Sequence, residues 1–189
     1  MGFLDAVMGR RKPVRPNLDA LFAVPSAAIT LHASMDLQPT GRGSVAFRAP
    51  EGRAFADVEQ QVRALLDADG GPPVEVAADA YGFTWLVVRT EPADLAAAVT
   101  DLHAVNVSLV ESGFGPQLLC SQVSFRDPQD RVLALVYLYK RGTFYPFAPT
   151  GSEQRDNVFE LQVRDLLAGE LPIEQDLARW FAVWSAPGL

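Results

Sequence analysis

"QLLCSQVSFRDPQDRVLALVYLYKRGTFYPF", residues 117–147, is the stretch that decides the fold. The runs 117–125 and 131–140 are rich in β-branched and aromatic residues, and the Asp127-Pro128 pair between them suits a turn. They read as one antiparallel strand pair, and Arg141-Gly142 then turns the chain into "TFYPF". The segment "VLALVYLY", 132–139, is apolar on both of its alternating faces, which a half-solvated antiparallel strand is not. The sheet is therefore either covered on both sides, or its second face meets a subunit or a partner.

Working back from this core, 74–78 and 83–90 form another strand pair that turns through Asp79 to Gly82. Pro92 opens a long helix with Leu95, Val99, Leu102, Val105 or Asn106, and Leu109 on one face, ending at Gly113. Further upstream, 27–34 and 43–49 read as strands parted by turn residues Pro39, Gly41 and Gly43, after a short helix capped by Asn17 and ended by Pro25. Phe55, Val58, Val62, Leu65 and Leu66 recur at helical spacing before Gly70-Gly71-Pro72-Pro73. Downstream, a helix is expected over 157–168, then a short last helix with Leu177, Phe181 and Trp184 on one face. A strand pair followed by a helix, three times over, predicts an α+β fold: an antiparallel sheet built from successive strand pairs, with helices packed mainly on one face. "RKPVRP" reads as a linker, so residues 1–16 form a basic N-terminal segment and 17–189 a single α+β domain.

The head, "MGFLDAVMGRRKPVRP", is too short and too interrupted by charge to span a bilayer, and its charges follow its apolar run where a secretory signal places them first. The chain is expected to stay on the side where it is made. Phe3, Leu4, Val7 and Met8 share one side of a short helix that ends in Arg10, Arg11 and Lys12. That face could lie on an anionic lipid surface, dock on the protein's own core, or dock on another protein. Each basic residue near such lipid contributes about 1 kcal/mol, so lipid contact by the head would be weak and reversible. The net charge of −7, with +3 on residues 1–16, leaves −10 on the body, which the same lipids repel.

An acidic body is also a poor partner for nucleic acid, whose binding rests on a basic surface. Of 189 residues 49% are hydrophobic and 21% charged, the composition of a globular chain with one sizeable core. Cys120 alone can form no internal disulfide and suits a reducing cytoplasm. His32, His103 and Cys120 have no zinc spacing, Gly41-Arg42-Gly43 lacks the order of a dinucleotide fingerprint, and Asp67 and Asp69 are most simply turn residues. No metal, cofactor or catalytic residue is expected. A Cys120–His103 nucleophilic pair is the alternative, which would make the protein a small hydrolase or ligand-binding protein.

Tyr137, Tyr139, Phe144, Tyr145 and Phe147 crowd around Lys140 and Arg141, with Trp180, Phe181 and Trp184 later in the chain. Core filling is one reading; a partner-binding surface is the other, because aromatics and Arg concentrate at interface centres. The segments "MGFLDAVMGRRKPVRPNLDALFAVPSAAITL", "LLDADGGPPVEV", "DLHAVNVSL", "LALVYLYKRGTFYPFAP" and "LARWFAVWSAPGL" together resemble the PspAB family, proteins associated with phage shock protein A. The second half is also similar to the YbjN or type III secretion chaperone-like fold, a curved antiparallel sheet with helices, commonly dimeric. The first resemblance implies a non-enzymatic accessory protein of the envelope-stress response. It would be cytoplasmic or peripheral at the inner membrane face, contacting a phage shock protein A-like partner as a homodimer.

Overall fold

The computed structural model describes residues 16–49, 57, 60, 62–64, 73–151, 153–184 and 186–189. Eight strands are seen among them: β1 Gln38–Phe47, β2 Glu75–Ala78, β3 Thr84–Arg89, β4 Leu118–Arg126, β5 Val132–Leu138, β6 Thr143–Phe147, β7 Pro149–Gly151 and β8 Gln154–Arg155. The first six make an antiparallel sheet in the order β2-β3-β1-β4-β5-β6, and β7 pairs with β8. Three α-helices have their bounds within the described residues: α1 Val24–Met35, α2 Leu95–Glu111 and α3 Asn157–Leu167. The fold is α+β, as the sequence predicts, and the helices pack against the sheet.

The first quarter corrects the expectation. Residues 27–34 are helical, within α1, and Pro25 opens that helix instead of ending the one before it. A 3-10 turn, Leu18–Ala23, runs straight into it. Pro is tolerated in the first helical turn, where its missing N–H has no partner to lose, and Leu21, Val24, Ala28 and Leu31 repeat at three- and four-residue spacing. Asp36 closes α1 in the left-handed region, φ 54°, with its N–H on the His32 carbonyl. By length and composition the stretch Leu18–Met35 could cross a membrane; here Leu21, Val24, Ala27, Ala28 and Leu31 lie in the core.

Gly41 and Gly43 are not a turn between strands but lie inside β1, at a break in its register with β4 between Pro39 and Gly43. Gly41 has φ 74°, and a Cβ there would run into the Thr90 carbonyl. At Gly43 a Cβ would meet Leu102 Cδ1 at 2.9 Å and the Gln122 carbonyl at 3.1 Å, so glycine lets α2 settle directly onto β1. The predicted helices at 92–113 and 157–168 are α2 and α3, each capped by a carboxylate: Asp94 accepts from Ala97 N and Asp156 from Phe159 N. Of the helix expected over 55–66, the described residues 57, 60 and 62–64 are helical.

Register assigns every central side chain to a face. Gly43, Val45, Ser121, Val123, Leu135 and Tyr137 are cross-strand neighbours on the helix side, where Asn106 of α2 donates to Ser121 Oγ at 2.8 Å. Ser44, Cys120, Gln122, Ser124, Val136 and Tyr145 occupy the other side. The chain itself covers that side. Gln122 Nε2 donates to the Pro187 carbonyl at 3.1 Å, Ser124 Oγ to the Gly188 carbonyl at 2.7 Å, and Tyr145 Oη to the Phe181 carbonyl at 2.9 Å. The apolar character of 132–139 on both faces is thus met within one chain, by helices on one side and a C-terminal strap on the other. The strap is not the expected helix: a 3-10 turn, Leu177–Arg179, gives way to irregular chain, and Leu177 is exposed.

Edge strand β6 carries Pro146, which an interior strand would not tolerate. Its outer side is shielded: Phe144 N donates to the Pro172 carbonyl and Glu174 N to the Phe144 carbonyl, both at 2.8 Å. Buried Glu174 also accepts from Arg141 Nε and Thr143 Oγ1 at 3.0 Å each, which ties the β5–β6 turn to this shield.

Candidate functional site

The aromatic hairpin singled out in the sequence lies mostly inside the protein. Tyr137 is fully buried on the helix side, its hydroxyl donating to the Asn17 carbonyl at 2.8 Å and its ring 5.0 Å from Phe144. Burial pushes its phenol up to about 12, the Asn17 contact and two neighbouring charges being smaller effects. Tyr145 and Phe147 are buried on the strap side: Tyr145 stacks on Trp180 at 5.9 Å and Phe147 meets Trp184 edge-on at 4.9 Å. Tyr139 is also buried. Alternation along a two-sided strand thus divides these rings between two cores. Of the seven residues assigned to partner binding, Lys140 is exposed and Arg141 half-buried, so they are the surface of this segment. Phe3, Leu4, Val7, Met8, Arg10, Arg11 and Lys12, the membrane-contact set, lie outside the described residues.

The Cys120–His103 pair does not form. Cys120 is fully buried on the strap side of β4, while His103 on α2 stands on the helix side, its Nε2 3.3 Å from Asp19 and its ring 4.7 Å from Phe22. Burial pushes the Cys120 thiol up to about 12, far from the thiolate that nucleophilic chemistry needs. The sheet itself separates the two residues. Among the described residues no group of three or more His, Cys, Asp or Glu is placed to hold a metal ion.

What the structure does bring together is an aromatic pocket of about 460 Å³ between the β2–β3 turn and the strap. Tyr81, Phe83 and Trp85 come from the turn and β3, and Phe181 and Trp184 from the strap. Tyr81 and Phe181 are exposed, whereas Trp85 is buried at the back. Asp79 lies among these rings, its Oδ1 accepting from the backbone N–H of Tyr81 and of Phe83, and its Oδ2 from Trp85 Nε1, all at 2.9 Å. Partial burial pushes the Asp79 carboxyl up, but the hydrogen bonds from Trp85, Phe83, Tyr81 and Gly82 outweigh it and hold the group below its ordinary value. It is a carboxylate at neutral pH. Nearby, the Arg48 guanidinium lies 5.2 Å from the centroid of the Phe83 ring.

Sequence reasoning saw Asp79 to Gly82 as a turn and stopped there. The signal was the crowding of Tyr81, Phe83 and Trp85 within five residues of a turn, three large rings with an aspartate beside them. Nothing local marked their meeting with Phe181 and Trp184 about a hundred positions later.

The family model described as PspA associated protein B matches residues 1–188. No curated protein and no solved structure matches the chain, and the likeness to the YbjN or secretion-chaperone fold rests on the sequence alone.

Proposed function

The chain belongs to the PspA associated protein B family, and from that premise we propose that it is a non-enzymatic accessory protein of the phage-shock-type envelope stress response. It acts by contact with a phage shock protein A-like partner near the cytoplasmic face of the membrane. The match over residues 1–188 carries the reading, because it spans both the N-terminal segment and the sheet domain. Burial of the one thiol and the separation of Cys120 from His103 support this reading, since they take away the nucleophilic pair on which the hydrolase alternative was built.

Within this reading the contacts are divided. Lys140 and Arg141 present charge at the β5–β6 turn, and the basic head with Phe3, Leu4, Val7, Met8, Arg10, Arg11 and Lys12 meets partner or lipid. A homodimer is the working assembly. Size-exclusion chromatography with light scattering, on the protein alone, with phage shock protein A, and with anionic liposomes, tests all three parts. Co-elution with the partner and the mass of two chains are expected; a monomer that ignores the partner overturns the reading. Reversing Arg10, Arg11 and Lys12 to Glu abolishes liposome association if the head meets lipid and leaves it unchanged if it does not.

A further inference from the structure

We propose that the aromatic pocket bounded by Tyr81, Phe83, Trp85, Phe181 and Trp184, with the Asp79 carboxylate among them, receives a cationic side chain, arginine or lysine, from a partner protein. The inference rests on the reading of the chain as a protein-contact module and names a site for that contact.

Three observations point to this occupant. The pocket, about 460 Å³, is walled by aromatic rings, whose faces are electron-rich and attract a cation that has left water. The carboxylate at its side stays ionised and is only half-buried, and Oδ2, which accepts from the Trp85 indole, is an oxygen with more than one lone pair to offer. The Phe83 ring already lies beside a guanidinium, that of Arg48 at 5.2 Å, so the chain itself supplies an example of the contact. An anion would face the Asp79 charge, and a wholly apolar group would cover the carboxylate without adding a partner to it. The body's charge of −10 outside the head draws a basic partner surface toward the pocket.

The three tryptophans allow a direct reading by nitrogen-15 NMR of the full chain. Trp85 and Trp184 line the pocket, while the Trp180 indole donates to the Glu174 carbonyl at 3.0 Å away from it. The probes are blocked tripeptides, Gly-Arg-Gly and Gly-Lys-Gly, with Gly-norleucine-Gly and Gly-Glu-Gly as controls. The expected result is a saturable shift of the Trp85 and Trp184 indole signals by the cationic probes, with Trp180 unmoved. Tyr81→Ala, at an exposed ring, should weaken the response at least threefold, and Asp79→Asn more, with indole dispersion showing that each variant is folded. No shift, or an equal shift with the norleucine probe, overturns the proposal. Co-elution of phage shock protein A with wild type separates the two readings: if the partner is captured while the pocket ignores cations, the adaptor reading stands and the pocket assignment falls.

Discussion

Tyr145 on β6 reaches across the sheet face to donate its hydroxyl to the main-chain carbonyl of Phe181, 2.9 Å away and 36 positions later in the chain. Both partners lie on the side opposite the helices, and Trp180 stacks on the same ring. This bond is one of the points at which the strap is fixed, and the strap is what keeps the second face of β5 out of water.

Tyr145→Phe keeps the ring and its packing but leaves the Phe181 carbonyl without this donor. The expected cost is about 1 kcal/mol, or about 2–4 °C in Tm for a chain of this size, measured by thermal or urea unfolding. A value near zero would mean that the strap is not held through this contact.

Cys120 is expected to be inert while the fold is intact. At pH 8 a thiol reagent should label it only as fast as the sheet opens, and immediately once the chain is unfolded in guanidinium. Fast labelling of the native protein would place the thiol at the surface and contradict its burial on β4.

Gly43→Ala drives a methyl group to 2.9 Å from Leu102 Cδ1, closer than a Cβ packs, and to 3.1 Å from the Gln122 carbonyl, which is tight, so the Leu102 side chain has to give way. The expected loss is about 1–3 kcal/mol by urea unfolding. The loss should shrink when the same change is made in a Leu102→Ala background, since the two positions touch. Equal losses in both backgrounds would assign the effect to the backbone and not to α2.

Acid sensitivity follows from two anchored carboxylates. At Asp127, partial burial raises the group, but the Arg131 N–H, the Arg131 guanidinium and the Gln129 N–H outweigh it and hold it low. At Glu174 the same balance is struck against burial by Arg141, the Asp176 N–H and Thr143. A carboxyl lowered in the fold contributes stability that is fully present above its unfolded value, about 4, and is lost as pH falls through its folded value. Glu160 acts in the opposite sense: burial raises it despite Arg155, so its contribution is present below the unfolded value and fades as pH rises through the folded one. Urea midpoints for Asp127→Asn should lie below wild type at pH 7 and approach it toward pH 3. A constant gap across that range would sink the assignment.

By itself the sequence determined the elements whose burial is written into a local period. Strands β2 to β6 show β-branched and aromatic runs bounded by turn residues, α2 shows helical spacing behind Pro92, α3 is legible over 157–168, and 132–139 showed that both faces of the sheet had to be covered. Residues 27–34 misled because Ala27 to Ser34 alternate well enough for a strand, and the repeat that makes them a helix, Leu21, Val24, Ala28 and Leu31, begins upstream of the run. What covers the second face only the tertiary structure decided. The strap has no period to read: Trp180, Trp184 and Pro187 take their places from Tyr145, Phe147 and Gln122, on strands far away in the chain. The aromatic pocket is of the same kind, since its two walls meet only when the strap lies down beside β3. Local periodicity reports what one segment does with its own sides; the docking of an irregular segment depends on a surface that does not exist until the sheet has formed.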